Sequence, residues 1–383
     1  MCTPPGPRRV SPPRRILKTP RLSIWPTLPP DAYWRTPRAQ LPFPLEEAGF
    51  RLFSRARHGL WQGARALGLG EGDAVLTPAY HHGSEIEALQ RVGVGCRFYE
   101  VDDDLQPPDE DRLDELLAPD VKALYLIHYF GFPQMAERWK SWCDRHGLLL
   151  IEDAAMAFLS TRDGRHVGSF GHLAIFCVYK TFALPDGGAM VCSSPVPDVR
   201  GGRPPLGLKN SLARTGSWLA QRSKLFSTAH ELVGGHHQQL WGQDFDLGDP
   251  FTPASRMTSM IVRRLADPDA AARRRSNYRF LAEELGDRLR PLFPDIPEGS
   301  SPVAFLFRLE PEEQAVMRKE LGEHGVRLAN FWMVPHPSLP EEGFERTRSL
   351  RLSVVGLPVH QELRSQDLRR IVTSLRAATR SPT

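Results

Sequence analysis

Between Leu45 and about Ser194, short apolar runs alternate with amphipathic stretches of helix length. Ala74–Leu76, Arg97–Val101, Ala123–His128, Leu148–Ile151, Ala174–Cys177 and Ala189–Cys192 read as short buried strands. Arg57–Gly68, Ser84–Val92, Asp109–Leu117 and Met135–His146 read as helices between them. Strand–helix alternation with short linkers predicts an α/β layer fold with a mostly parallel sheet. Ser211–Leu232 reads as helical, and residues 255–290 as one or two helices interrupted at Asp267-Pro268. After Pro291 the α/β pattern returns on a smaller scale: strand Val303–Leu309, helix Pro311–His324, strand Leu350–Ser353, helix Ser365–Ala377. The organisation predicted is a large sheet domain over 44–252 and a smaller C-terminal α/β domain over 253–383.

Residues 1–43 fall outside this pattern. Twelve of the 35 prolines lie in the first 50 residues, and proline fixes φ and removes a backbone donor. An extended arm is expected, laid on the body through the apolar anchors Trp25 and Trp34. The net charge of +4, with 45 acidic residues interspersed among 49 basic ones, gives no support to nucleic-acid binding. No apolar stretch reaches the roughly 18 residues of a membrane helix, and the N-terminus has no apolar run of a secretory signal. Five widely spaced cysteines without a C-x-x-C pair indicate neither a zinc site nor a disulfide framework. Free thiols in a reducing cytosol are expected, and no metal.

The basic residues divide into 42 arginines and seven lysines, so lysine chemistry must use one of seven positions. One of them, Lys180, follows the apolar run Ala174–Val178 with only Tyr179 between. About 25 residues earlier the apolar run Leu148–Ile151 ends in Glu152-Asp153. Carboxylates at the carboxyl end of a buried strand sit where α/β sheets bind ligands. A lysine and a carboxylate there suit pyridoxal 5′-phosphate: the amine forms a Schiff base, and the carboxylate keeps the pyridine nitrogen protonated. Burial would depress the pKa of the lysine and make it nucleophilic.

The surrounding motifs carry a resemblance. Glu152-Asp153-Ala154-Ala155, Val167-Gly168-Ser169-Phe170-Gly171-His172, Lys180 and the turn Gly187-Gly188 follow in order. Gly70-Glu71-Gly72-Asp73-Ala74-Val75 with Pro78, His128-Tyr129-Phe130-Gly131-Phe132-Pro133, Arg256-Met257, and Leu352-Ser353 with Leu357-Pro358-Val359-His360 flank them. The last pair has Val354-Val355-Gly356 interposed. Over roughly residues 50–375 the chain resembles the DegT/DnrJ/EryC1/StrS family of PLP-dependent aminotransferases of fold type I. The resemblance implies that Lys180 holds the cofactor and serves as acid–base, and that Asp153 holds the pyridinium. It implies an amino acid donor, expected to be glutamate, and a keto acceptor, a nucleotide-linked keto sugar or an intermediate of specialised metabolism. It also implies a homodimer with shared active sites.

Several positions depart from the family pattern. Where a Ser-Gly-Thr usually holds the phosphate, this chain has Arg55-Ala56-Arg57, and either arginine could grip the phosphate by charge. The ring-stacking aromatic falls on His82, with His81 and Tyr80 as weaker alternatives. Met156 stands where a Gln or His usually approaches the phenolic oxygen, and it cannot donate a hydrogen bond. Cys177 replaces a hydroxyl residue before the lysine. Ala254, with Ser255 beside it, stands where a neighbouring subunit usually lends an asparagine to the phosphate. Two alternatives stay open: a non-transaminating PLP enzyme on the same scaffold, and a catalytically silent regulatory relative.

Other clusters read as structural. Asp102-Asp103-Asp104 reads as a solvated turn, His236-His237 as surface, and Arg273-Arg274-Arg275 as a solvated helix face. His336 is a candidate for the substrate mouth, as is Arg256; Trp332 reads as core.

Overall fold

The computed structural model of the chain describes residues 20–196, 204–232 and 245–378. The large sheet is built from β1 (Phe50–Phe53), β2 (Ala74–Pro78), β3 (Gly95–Tyr99), β4 (Val121–Ile127), β5 (Leu149–Asp153), β8 (Leu173–Cys177) and β9 (Gly188–Cys192). A short hairpin, β6 (Thr161–Arg162) and β7 (Arg165–His166), stands between β5 and β8. The helices of this half are α1 (Ala56–Ala66), α2 (Ser84–Gln90), α3 (Glu110–Asp114), α4 (Ala136–His146) and the one-turn α5 (Val178–Thr181).

The strand order is β1-β9-β8-β5-β4-β2-β3, and β9 runs antiparallel to both of its neighbours. The pairs β3–β2, β2–β4, β4–β5 and β5–β8 are parallel. Every residue of β2 and β8 is buried, which is why these strands read as continuous apolar runs rather than alternating ones. The parallel strands end on one edge, so the residues after Pro78, Asp153 and Cys177 share it. Because β3 and β4 lie on opposite sides of β2, the chain reverses direction along the sheet there, the place where such sheets open a crevice.

The Gly187-Gly188 turn has a steric reason. Gly187 has φ +127°, and a Cβ on Gly188 would come 1.9 Å from the Ala56 nitrogen. The start of β9 thus presses against the first turn of α1, which only glycine permits.

Past the large sheet come α6 (Leu208–Arg222), α7 (Lys224–Leu232), α8 (Arg256–Leu265) and α9 (Ala270–Leu285). The expected Ser211–Leu232 helix is two helices broken at Ser223, whose backbone is extended. The smaller antiparallel sheet, order β10-β12-β11, uses β10 (Ala304–Arg308), β11 (Ala329–Asn330) and β12 (Val354–Pro358). It carries α10 (Pro311–Glu323), α11 (Glu345–Ser353) and α12 (Ser365–Ala378).

Three expectations are corrected. Leu350–Ser353 is the last turn of α11, not a strand. Thr347, Leu350 and Arg351 are buried at helical spacing, and the strand is the wholly buried run Val354–Pro358 that read as an insertion. Trp34 does not anchor the arm: it is 71% exposed, while Leu22, Ile24, Leu28 and Ala32 are buried. β1 was missed because it is a short antiparallel edge strand in which only Phe53 is fully buried, the other three residues being half-buried.

Candidate active site

Asp153 is the last residue of β5, and Lys180 stands one helical turn beyond the neighbouring strand β8. The register of β5 and β8 pairs Asp153 with Ile175, so the two strand ends lie side by side. Asp153 is buried; its Oδ2 accepts the Tyr125 hydroxyl at 2.8 Å and its Oδ1 the Ala155 amide at 2.8 Å. Burial pushes the Asp153 carboxyl up, against the pull of the Ala155 amide, Tyr125 and Lys180.

Glu152 serves a different purpose. Successive strand residues face opposite ways, and the Glu152 carboxylate turns to the Val167–Gly171 loop. Its Oε2 accepts His128 Nε2 at 3.0 Å and the Gly168 amide at 2.8 Å. Its Oε1 accepts the Phe170 amide at 2.8 Å and the Gly171 amide at 2.6 Å. Burial opposes the charge, but the His128 bond and field and the Gly168 and Gly171 amides hold the carboxyl below its ordinary value. The Glu-Asp pair thus divides into a loop-holder and a site carboxylate.

The depressed lysine pKa is corrected. Burial does work against the Lys180 ammonium, but Cys177, Tyr179, Asp153 and Glu85 outweigh it and raise the amine above its ordinary value. The sequence pointed to one facing carboxylate, and the fold supplies two. Glu85 is buried in the first turn of α2, where it accepts the His82 amide at 2.8 Å and the Gly83 amide at 3.1 Å. Burial, then the field of Asp153, pushes its carboxyl up.

Of the three ring candidates, His82 lies within the fields of Lys180 and Arg57; burial first, then these cations, push it down to about 3. His81 instead stacks on Phe98 with centroids 5.5 Å apart, and Tyr80 stacks on Tyr129 at 5.7 Å. Arg55 caps the N-terminus of α1 in an extended conformation, and Arg57 lies in that first turn. Arg57 Nη1 donates to the Asp246 carbonyl at 2.5 Å. The field of Arg55 reaches Cys177 and Tyr179. Cys177 is buried at the end of β8, and Met156 is buried in the turn after β5.

His336, from the smaller half, faces α2. Its Nδ1 is 2.8 Å from Ser338 Oγ and its Nε2 3.4 Å from Glu87. Phe245 lies between His336 and His82, with ring centroids 5.3 and 6.3 Å away. Arg256 is exposed at the start of α8, and its amide donates to the Pro205 carbonyl. Ser255 caps α8 and donates its amide and hydroxyl to Asp186, so it is engaged within its own chain.

Trp332 is core, packed against Tyr80, Tyr129 and Phe130. In the Asp102–Asp104 turn, Asp102 Oδ1 accepts the amides of Asp104 and Gln106, and Asp103 pairs with Arg308. Arg274 is not on a solvated face: it is 1% exposed, and Arg275 is half-buried. His236-His237 lies outside the described residues. Among the described residues no group of three His, Cys, Asp or Glu could hold a metal ion, and no helix is long and apolar enough to cross a membrane.

Sequence reasoning missed Tyr125, Glu85 and Arg274. Tyr125 had a signal, as the single polar group within the apolar run Ala123–Ile127. Arg274 had none, because it is flanked by two more arginines.

A carboxylate at the end of one strand and a lysine just past the end of its neighbour, on a mainly parallel seven-stranded sheet, define the class: PLP-dependent aminotransferases of fold type I. Within that class, the model of the DegT/DnrJ/EryC1/StrS aminotransferase family matches residues 53–198 of the chain. It is 27% identical over 332 residues to the UDP-N-acetyl-3-dehydro-alpha-D-glucosamine 3-aminotransferase of Acidithiobacillus ferrooxidans, covering 82% of this chain and 79% of that one. To the dTDP-3-amino-3,4,6-trideoxy-alpha-D-glucose transaminase of Streptomyces venezuelae it is 26% identical, covering 82% and 78%. Among solved structures, the aminotransferase TlmJ from Streptoalloteichus hindustanus superposes with a TM-score of 0.63 at 24% identity, covering 86% of each chain. NtdA from Bacillus subtilis with bound PMP gives 0.62 at 15%, covering 87% and 73%. These two likenesses bear on the fold.

Proposed function

We propose that the chain is a PLP-dependent aminotransferase that moves an amino group from an amino acid donor, glutamate in the simplest case, to a nucleotide-linked keto sugar. The observation that carries this reading is the Asp153–Lys180 pair on adjacent strand ends, with the Asp153 carboxylate oriented by Tyr125 and Ala155. The sugar substrates named for the Acidithiobacillus and Streptomyces relatives support the acceptor class.

The residues present fit the cofactor. A buried carboxylate with a fixed orientation suits a ring nitrogen that must stay protonated. His82 is pushed down to about 3, so at neutral pH it is an uncharged ring that can lie against another ring. Arg55 and Arg57 bring two guanidinium groups to the first turn of α1, where a phosphate is favoured by the helix terminus as well. Once bound, pyridoxal phosphate supplies an electron sink for the carbon next to the transferred nitrogen. Lys180 holds the cofactor through its amine and afterwards carries a proton at Nζ. Asp153 keeps the ring nitrogen protonated. Cys177 and Met156 are buried and are assigned to this end of the site, where sulfur would offer the phenolic oxygen no strong donor. His336 and Arg256 are assigned to the substrate side.

The working unit proposed is a homodimer with shared sites. Leu206, Leu208, Leu212, Leu225, Phe226 and Phe251 are exposed in this chain, apolar side chains that a second copy would cover. A cytoplasmic location accords with the free thiols Cys96, Cys143, Cys177 and Cys192. The test is a half-reaction: the protein loaded with PLP shows a visible absorption band, and glutamate bleaches it. A band that no common amino donor bleaches favours a non-transaminating enzyme, and no band at all sinks the enzyme reading.

A further inference from the structure

The lysine that carries the proposed chemistry sits on a weak element. Helix α5 has four residues, Val178–Thr181. A single turn fixes several dihedrals for one backbone bond and is not stable by itself, and its last carbonyls have no partner within it. Here those carbonyls are held from the other half of the molecule. Arg274, on α9, donates from Nη2 to the Thr181 carbonyl at 3.0 Å and to the Lys180 carbonyl at 3.4 Å. Gln361, just after β12, donates from Nε2 to the same Thr181 carbonyl at 2.8 Å. The two holders are joined to each other, Arg274 Nε to Gln361 Oε1 at 2.8 Å. Arg274 Nη1 reaches the Pro302 carbonyl at 3.4 Å.

Arg274 is 1% exposed and all these partners are neutral. Burial pushes it down to about 9, with the field of Glu362 opposing. A guanidinium kept there without a carboxylate to bond is costly, and the surface it meets is the backbone of Lys180–Thr181. The fields that dominate at the Lys180 amine come from Cys177, Tyr179, Asp153 and Glu85, so Arg274 acts through position.

We propose that Arg274 and Gln361 form a clamp by which the smaller domain fixes the backbone of Lys180, making both positioning residues for its amine. The inference rests on the proposed role of Lys180, and the test separates the two. In the cofactor-free full-length protein, the rate at which an amine-reactive sulfonate labels Lys180 relative to Lys140 is measured by mass spectrometry. The rate of PLP capture after mixing and the thermal midpoint are measured beside it.

Releasing the clamp should free the amine from its carboxylates while misplacing it for the cofactor. Arg274→Met and Gln361→Met are therefore expected to raise Lys180 labelling at least threefold and to slow PLP capture at least threefold. Arg274→Lys, which keeps one donor, should recover part of both. Arg275→Met, a change on the same helix α9 that removes a bond to the Ser300 carbonyl, should move neither ratio. Labelling and capture within twofold of the parent in folded Arg274→Met and Gln361→Met would overturn the clamp. So would parallel changes in Arg275→Met that follow thermal stability. If Arg274→Met does not fold, Arg274→Lys and Gln361→Met decide. If the parent captures no PLP, the functional reading falls, and the labelling arm still decides the clamp.

Discussion

Tyr125 and Asp153 stand on adjacent parallel strands, and the tyrosine hydroxyl donates to Asp153 Oδ2 at 2.8 Å. The bond stabilises a carboxylate that burial drives toward its neutral form. Tyr125→Phe should therefore weaken PLP binding. A hydrogen bond to a charged group is worth about 1.5–3 kcal/mol, so roughly a ten- to hundredfold rise in the dissociation constant is expected. Titration of the cofactor-free protein with PLP checks it; an unchanged constant would show that the hydroxyl does not support Asp153.

Arg55 stands at the N-cap and Arg57 in the first turn of α1, and Arg57 already bonds the Asp246 carbonyl. If they hold the phosphate, Arg55→Ala and Arg57→Ala should each weaken PLP by about 1.5–3 kcal/mol. Binding of pyridoxal, which has no phosphate, should hardly change. Equal losses for both ligands would place the arginines elsewhere in the site.

Glu152 gives a pH prediction. Its folded-state pKa lies below the ordinary 4.5, with burial opposed by His128 and the loop amides. A depressed carboxyl adds stability above its unfolded pKa and loses it as pH falls through the folded value. Glu152→Gln also turns an amide donor toward backbone donors, at a cost of about 2–4 kcal/mol near neutral pH. Thermal midpoints from pH 7 to pH 3 should differ most at neutral pH and converge below 4.5. A gap that stays constant down to pH 3 would remove Glu152 from the acid sensitivity.

How much could be foreseen follows from where the information lies. The large sheet was legible because β2, β4, β5 and β8 are buried apolar runs, and short runs of that kind between turn signals favour strands. The Asp153–Lys180 pair was legible because both residues break such runs at their ends. Arg351 and Leu350 misled: L-R-L-S alternates like a strand, yet Thr347, Leu350 and Arg351 bury one face of a helix. Glu85 and Arg274 were beyond reach, since only the tertiary fold brings α2 and α9 to the Lys180 segment.

The exposed leucines of α6 and the loop before it make the dimer testable. The protein should elute at twice the 43.1 kDa chain mass. Leu212, 57% exposed, should on substitution by Glu weaken association at least tenfold, since an apolar side chain buried in an interface contributes about 1.5–3 kcal/mol. Light scattering across a dilution series reads this directly; a monomer at all concentrations would contradict the shared-site dimer.

The central claim is that Lys180, among seven lysines, holds the cofactor. Borohydride reduction of the PLP-loaded protein, followed by digestion and mass spectrometry, tests it most directly. The account predicts one phosphopyridoxyl adduct per chain, on Lys180, absent from Lys180→Ala. A stoichiometric adduct on another lysine, or none, would contradict it.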